Sequence, residues 1–541
     1  MTPRRALWGL IVVSGLLRLV WAGSLGPGND EAYHYLFTVH RDWSYFDHPP
    51  MLAVVEAAGV AIAGGVVSTL TLRLGFVLLF GGSTWLMARL TSRFYGERAG
   101  LLAALAINVA AYYTAAAGAF ALPDGPLLFF WLLTLDRLAV ALEVTGERAG
   151  SSGASASAWA WVCVGLAWGA ALLSKYHAVF LPAGVVVYLA IEPGARRWLR
   201  RPGPYLAAGV GVGMFAPVIG WNATHGWASF AFQGSRAVGT SGLRLDTLLA
   251  AIVLPALYLL PWIWYRLVAS LLGRGRRMFD AGTPAADRFL LSQSILPLAT
   301  FLAVACTRPV LPHWTLVGFL PLFPMAGQAW ERDWERNAAR FRRRAALMAM
   351  VPVLLAIGAV FQARSGFFQT GRPGGLGLVQ AAHDPTADMT GWDDVALELR
   401  RRGLLDEPGT FLFTPSWYLS GQLAFATRGS STPVLCYHAW DARSFAFWSK
   451  PEEWVGRDGI FVAVNEPGED SWRFARWFER IEPLGQFEVR RAGAGLRKVS
   501  LYRCVHQTAP FPFDDLGRSY HSKKPTVASR VAGRVGNGLS R

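Results

Sequence analysis

Long apolar runs recur along this chain, and they restrict its fold more than any other feature. Runs of roughly 17 to 25 residues, the length needed to cross a bilayer, fall near 6 to 25, 74 to 92, 99 to 118, 123 to 142, 157 to 174, 177 to 192, 204 to 222, 246 to 268, 289 to 306, 312 to 330 and 345 to 363. Only helices or closed barrels satisfy their backbone in lipid. The expected fold is therefore an α-helical polytopic membrane protein with about eleven transmembrane helices. At 53% hydrophobic and 16% charged residues, the composition excludes an ordinary soluble protein. The run "MLAVVEAAGVAIAGG" at 51 to 65 is shorter, follows Pro49 and Pro50 and carries Glu56, so it reads as an interfacial or re-entrant helix. "MTPRRALWGLIVVSGLLRLVW" has the basic start of a signal peptide but no small-residue cleavage site, and reads as a retained first span.

Charge placement tests this count, because Lys and Arg collect in cytoplasmic loops. With eleven spans, 22 basic residues of the first 364 fall on the cytoplasmic side and seven on the other, while Arg18 sits inside the first span. Counting 51 to 65 as a span would invert every later loop. The net charge of +16 is thus distributed in loop clusters rather than on a nucleic-acid-binding face. The acidic loop after the first span is therefore expected to be extracytoplasmic.

The membrane part is expected to cover 1-364. From 365 to 513 the chain reads as a small extracytoplasmic α/β domain, and 514-541 as a disordered tail. Helical patterns "WDDVALELRRRGLL" and "WRFARWFERIEPL" alternate with strand-like "TFLFT", "PVLCYH", "GIFVAVNE", "QFEVRRA" and "VSLYRCV". "TGRPGGLGL" reads as a linker. Cys436 and Cys504 lie in this polar third and allow a disulfide.

The loop "GNDEAYHYLFTVHRDWSYFDHPP" concentrates Asp30, Glu31, Asp42 and Asp47 at one membrane face, and Asp124 opens the fourth span at the same face. Capping of helix N-termini accounts for each carboxylate taken singly. Together, at the edge of a low-dielectric phase, they repel one another and lose solvation, which argues for a site that uses them. Lys175 in "LLSKYHAVFLP" is the single lysine before residue 450. It reads either as a snorkelling anchor or as a point charge for phosphate, with Arg308 on the same side. His48 and His313 complete the candidates, each also readable as a hydrogen-bonded interfacial aromatic. No HExxH, CxxC pair or EF-hand loop is present, and adjacent Asp30 and Glu31 diverge on a helix, so no metal site is expected and a divalent cation stays a minority option.

A carboxylate base beside a phosphate-holding cation suits transfer of a sugar from a lipid phosphate to an acceptor hydroxyl, by one displacement with inversion. The rival class is a transporter or flippase for a lipid-linked or polar solute, since membrane acids and bases also mark transport paths. Transporters show paired repeats with broken helices near the midplane, which this sequence does not display.

"NDEAYHY", "WSYFDHPPMLA", "ALPDGPLLFFWLLTL", "LLSKYHAVFLP", "PVIGWNATHGWASFAFQ" and "LPHWTLVGFLPL", in that order, resemble bacterial members of glycosyltransferase family 39, with "FLFTPSWYLSGQLAFA" extending the likeness outward. These are GT-C integral membrane enzymes related to protein O-mannosyltransferases and lipid A aminoarabinose transferases. The resemblance implies a polyprenyl-phosphate sugar donor, Asp30 as catalytic acid with Glu31 as its acidic neighbour, and Asp124 as the second acidic motif. It implies a phosphate contact for Lys175 of the "SKY" stretch, and Asp47, His48, Asp124, Tyr176, Arg308 and His313 are the further substrate-binding candidates. The acceptor-end pattern of the aminoarabinose transferases is not matched, which leaves sugar and acceptor open.

Overall fold

A computed structural model describes residues 2–144, 157–236, 242–465 and 468–513. The chain begins with α1 (Pro3–Ser24), α2 (Asn29–Val39), α3 (Met51–Ile62), α4 (Thr69–Tyr95), α5 (Glu97–Val109), α6 (Asp124–Ala141), α7 (Ala158–Ser174), α8 (Phe180–Ile191) and α9 (Pro202–Thr224). It continues through α10 (Ala228–Ser235), α11 (Leu245–Leu259), α12 (Pro261–Gly275), α13 (Ala285–Ala305), the single turn α14 (Leu316–Phe319), α15 (Phe323–Arg336) and α16 (Ala338–Ser365).

Local chemistry sets several of these boundaries. Ser68 and Thr71 form a reciprocal capping box at the start of α4: Ser68 Oγ accepts from the Thr71 amide at 3.2 Å and Thr71 Oγ1 from the Ser68 amide at 2.9 Å. Asn337 caps α16 by accepting from the Arg340 amide at 2.9 Å. Between α4 and α5 stands Gly96, whose φ of 102° is open to glycine but strained for other residues.

Every expected apolar run is helical, but not every one is a single unbroken rod. Among the described residues, five helices (α1, α4, α9, α13 and α16) are each long and apolar enough to cross a membrane. The others are shorter or interrupted. Run 246 to 268 breaks at Leu260, which has a left-handed φ of 71° and precedes Pro261, a position where helical backbone is disfavoured. Run 99 to 118 ends in a π-helical turn at Tyr113–Ala117, and 312 to 330 is assembled from short turns before α15. Helix α3 has 12 residues, about 18 Å of rise, too short to span and as expected for 51 to 65. It lies against α4 at Gly59, where an added Cβ would stand 2.3 Å from the Thr71 carbonyl. Exposed apolar faces, such as Val12, Leu16 and Val20 on α1 and Leu347, Leu354 and Ile357 on α16, are tolerable only in lipid, and the chain is a multi-pass membrane protein.

Beyond α16 come α17 (Trp392–Arg401), β1 (Thr410–Thr414), α18 (Trp417–Ala426), β2 (Val434–Cys436), α19 (Phe445–Trp448), β3 (Asp458–Val464), β4 (Phe478–Arg491) and β5 (Ala494–Gln507). The strands form one sheet in the order β2-β1-β3-β5-β4. Strand β1 runs parallel to β2 and β3, while β5 is antiparallel to β3 and β4. All five strand-like stretches of the sequence are found in it. "WRFARWFERIEPL", expected as a helix, instead leaves a 3-10 segment at Trp477 and becomes β4 from Phe478. Pairing along β5 outweighs its helical periodicity. A Cys436 to Cys504 disulfide is also excluded. The two cysteines are free and stand on β2 and β5, three strand spacings or roughly 14 Å apart. The expectation for 514-541 lies outside the described residues.

Helix α18 seats the sheet region on the helical part. At Gly421 a Cβ would fall 2.8 Å from the Tyr33 Cα, so only glycine lets the two helices come this close. Gln422 Nε2 then donates to the Pro27 carbonyl, Asn29 Oδ1 and the Asp388 carbonyl at 3.0, 3.1 and 3.0 Å.

Candidate active site

Asp30 and Glu31, neighbours at the first turn of α2, point to different environments. Glu31 is buried beneath the helix. Its Oε1 accepts from Arg73 Nε at 2.7 Å and from the Ala121 amide at 2.7 Å. Its Oε2 accepts from Arg73 Nη2 at 2.6 Å and from the Gly28 amide at 2.9 Å. Burial alone would raise the Glu31 pKa, but the Arg73 charge and these donors outweigh it and hold the carboxyl below the ordinary range. Arg73 spends its remaining donors on the carbonyls of Ala22, Leu25 and Gly26. One buried pair thus ties together the end of α1, the start of α2, the first turn of α4 and the segment leading into α6.

Asp30 is exposed, and among the described residues its carboxylate has no hydrogen-bond or ion-pair partner. Its charge acts on both His34 and Arg443. Asp47 is 1% exposed and takes Arg443 Nη1 at 2.9 Å and the Tyr33 hydroxyl at 3.2 Å. Burial works against its ionisation, yet the charges of His48, Arg443 and His34 keep its pKa below the usual carboxylate value. The His48 ring meets that of His34 edge-on at 5.3 Å. Burial above all pushes His48 down to about 3, with Asp47 opposing and His34, Lys175 and Arg443 reinforcing the fall. His34 is lowered as well, again mainly by burial.

The second acidic motif lies within reach of the same field. Lys175 Nζ donates to both oxygens of Asp124, at 2.9 and 3.0 Å. An extended φ of −162° at Lys175 separates α7 from the next turn and turns the side chain toward α6. Tyr176 exchanges a 2.7 Å hydroxyl contact with Ser229 at the start of α10. The His313 ring stacks on Tyr112, 5.6 Å between centroids. Asp124, Tyr112 and His313 line one small cavity. Arg308 donates to the Ser235 carbonyl at 2.7 Å, and the charges that act on His313 are those of Lys175 and Asp124, with a smaller one from Arg236.

The structure therefore gathers Asp30, Asp47, His48, Asp124 and Lys175 into one electrostatic neighbourhood and sets Glu31 beneath it as a clasp. Arg443 is the residue sequence reasoning missed. It comes from the loop before α19, 396 positions from Asp47, and lies over the Trp417 ring at 3.6 Å. Its only sequence signal was a lone arginine between two aromatic stretches. Among the described residues no group of three or more His, Cys, Asp or Glu is arranged to hold a metal ion.

Residues 47–221 match the family model described as dolichyl-phosphate-mannose-protein mannosyltransferase. That segment contains Asp47, His48, Asp124, Lys175 and Tyr176. No curated protein sequence matches the chain. The crystal structure of apo ArnT from Cupriavidus metallidurans aligns at 17% identity and a TM-score of 0.59, over 93% of this chain and 98% of that one. ArnT from the same organism bound to undecaprenyl phosphate aligns at 17% identity and 0.60, over 91% and 97%. Helical part and sheet together thus follow the ArnT fold almost end to end. The chain shares the fold of ArnT, and its segment 47–221 is similar to the dolichyl-phosphate-mannose-protein mannosyltransferase family.

Proposed function

We propose that the chain moves a sugar from a polyprenyl-phosphate donor to a hydroxyl of a cell-envelope acceptor (lipid A, another glycan, a lipid or a protein). It does so at the periplasmic face of the bacterial inner membrane. The observation that carries this reading is the inequality of the acids. Glu31, Asp47 and Asp124 are each engaged by a cation, while Asp30 is open and unpartnered among the described residues. A general base must be free to take a proton. The undecaprenyl phosphate named for ArnT supports a lipid-phosphate donor of the same chemistry.

In this reading an acceptor hydroxyl gives its proton to Asp30 as its oxygen attacks the anomeric carbon. The bond from that carbon to the phosphate oxygen breaks, and polyprenyl phosphate departs with the electron pair. Anomeric configuration inverts, because one displacement occurs and no enzyme nucleophile intervenes. Lys175 and Arg443 supply positive charge toward the leaving phosphate, and both are held in place by carboxylates that compete with it. Glu31 positions the helix carrying Asp30.

Membranes containing the protein, given labelled polyprenyl-phosphate sugars and envelope acceptors with and without chelator, test this reading. Asp30→Asn is expected to lower transfer by about 10² to 10⁴-fold at unchanged protein level. Wild-type transfer by that variant would remove Asp30 as the base. A product that retains the donor's configuration would remove the single displacement.

A further inference from the structure

A separate recess lies apart from the acids, at the N-terminal end of α16. A cavity of about 430 Å³ opens between α5, α12, α15 and the first turns of α16. Its floor is apolar, formed by Leu102, Leu105 and Val109 of α5, with Trp262, Trp330 and Met348. Its mouth carries Arg266, Arg336, Arg340 and Arg344, with Asp333 as the one carboxylate. Arg340, Arg344 and Met348 are spaced by four, so one face of α16 supplies both the charge and the apolar wall.

The charges do not cancel. Asp333 is engaged by Arg266 and approached by Arg336 at 3.7 Å. Among the described residues the Arg340 and Arg344 guanidinium groups have no hydrogen-bond or ion-pair partner. Helix α16 has 28 residues, about 42 Å of rise, and its far end leads to the sheet. The arginine collar therefore sits at the opposite bilayer interface from Asp30, where the basic loops gather. An apolar slot under a rim of unpaired guanidinium groups fits a molecule with hydrocarbon below and a phosphate above.

We propose that this recess is a binding site for an anionic glycerophospholipid, its phosphate held by Arg340 and Arg344 and an acyl chain laid along α5 and α12. A zwitterionic lipid would bring its own cation to the rim and bind less well. The site is independent of the sugar-transfer reading, since it shares no residue with the acid cluster.

The test uses the full chain in nanodiscs of phosphatidylcholine doped with phosphatidylglycerol or cardiolipin, with retained lipid counted by native mass spectrometry. Wild type is expected to retain the anionic lipid in preference to phosphatidylcholine, and Arg340→Ala/Arg344→Ala to lose about thirtyfold in affinity for it. Arg343→Ala, on the same helix but outside the recess, is expected to leave retention unchanged. Inorganic phosphate and soluble glycerophosphate are expected not to displace the lipid. Equal retention of both lipid classes, equal loss with Arg343→Ala, or displacement by free phosphate would each overturn the proposal, the last by showing an anion site without a lipid slot.

Discussion

Replacing Arg73 by methionine strikes the clasp under the acidic loop, and its effect can be worked from the contacts. The guanidinium group makes five hydrogen bonds, two to Glu31 and three to the carbonyls of Ala22, Leu25 and Gly26. It is 1% exposed and its partner 3%. Removing one member of a buried ion pair costs about 3–5 kcal/mol, because the other charge stays behind without compensation. Each carbonyl stripped of its donor adds about 1 kcal/mol. The sum, about 6–8 kcal/mol, compares with the roughly 5–15 kcal/mol that holds an ordinary domain together. Arg73→Met should accumulate poorly and melt early. Glu31→Leu should also destabilise, but the double variant should cost less than the two single losses added, by about 2 kcal/mol, since no unpaired charge remains. Thermal unfolding of the four proteins in one detergent measures the cycle. Additivity within about 0.5 kcal/mol would refute the claim that these two side chains act as a pair.

Arg443→Ala should leave Asp47 buried without its cation, with sugar transfer falling more than tenfold and stability by about 3–5 kcal/mol. Arg443→Lys should restore little, because an ammonium lacks the planar group that lies on Trp417 at 3.6 Å; melting and transfer assays of both variants check this. His48 is depressed from 6.5 to about 3 in the folded protein, so below pH about 6.5 the unfolded chain binds the extra proton and stability falls as pH drops toward 3. A melting temperature followed from pH 7 to pH 4 should decline, and His48→Gln should flatten part of that decline, with His34 supplying the rest. Cys436 and Cys504 are buried with thiols pushed upward chiefly by burial, to about 12 in the case of Cys504, so alkylation of the native protein should be slow and reducing agent should not alter its melting.

What could be read from the chain, and what could not, divides along sequence distance. Apolar runs announce helices because their cause is local, and the acidic loop announces itself because its charges are contiguous. Asp124 and Lys175 were both legible as residues of interest, although their direct pairing was not. Glu31 read as a partner in chemistry because it adjoins Asp30. One step along a helix turns a side chain by about 100°, and that rotation carries Glu31 into the protein and leaves Asp30 in the open. Arg443 was invisible for a different reason. Its value lies in a contact across 396 positions, created when α18 settles on α2, and no periodicity within either segment encodes it. The same limit explains β4, where a stretch with helical spacing is captured by the edge of a neighbouring strand.

The absence of a side chain at position 421 has a consequence beyond packing. With the backbone of Tyr33 only a methyl's width from that of Gly421, the sheet region and the loop bearing the acids are machined to a common tolerance. One added carbon there would prise them apart, and the cation contributed from one would no longer meet the carboxylate contributed from the other.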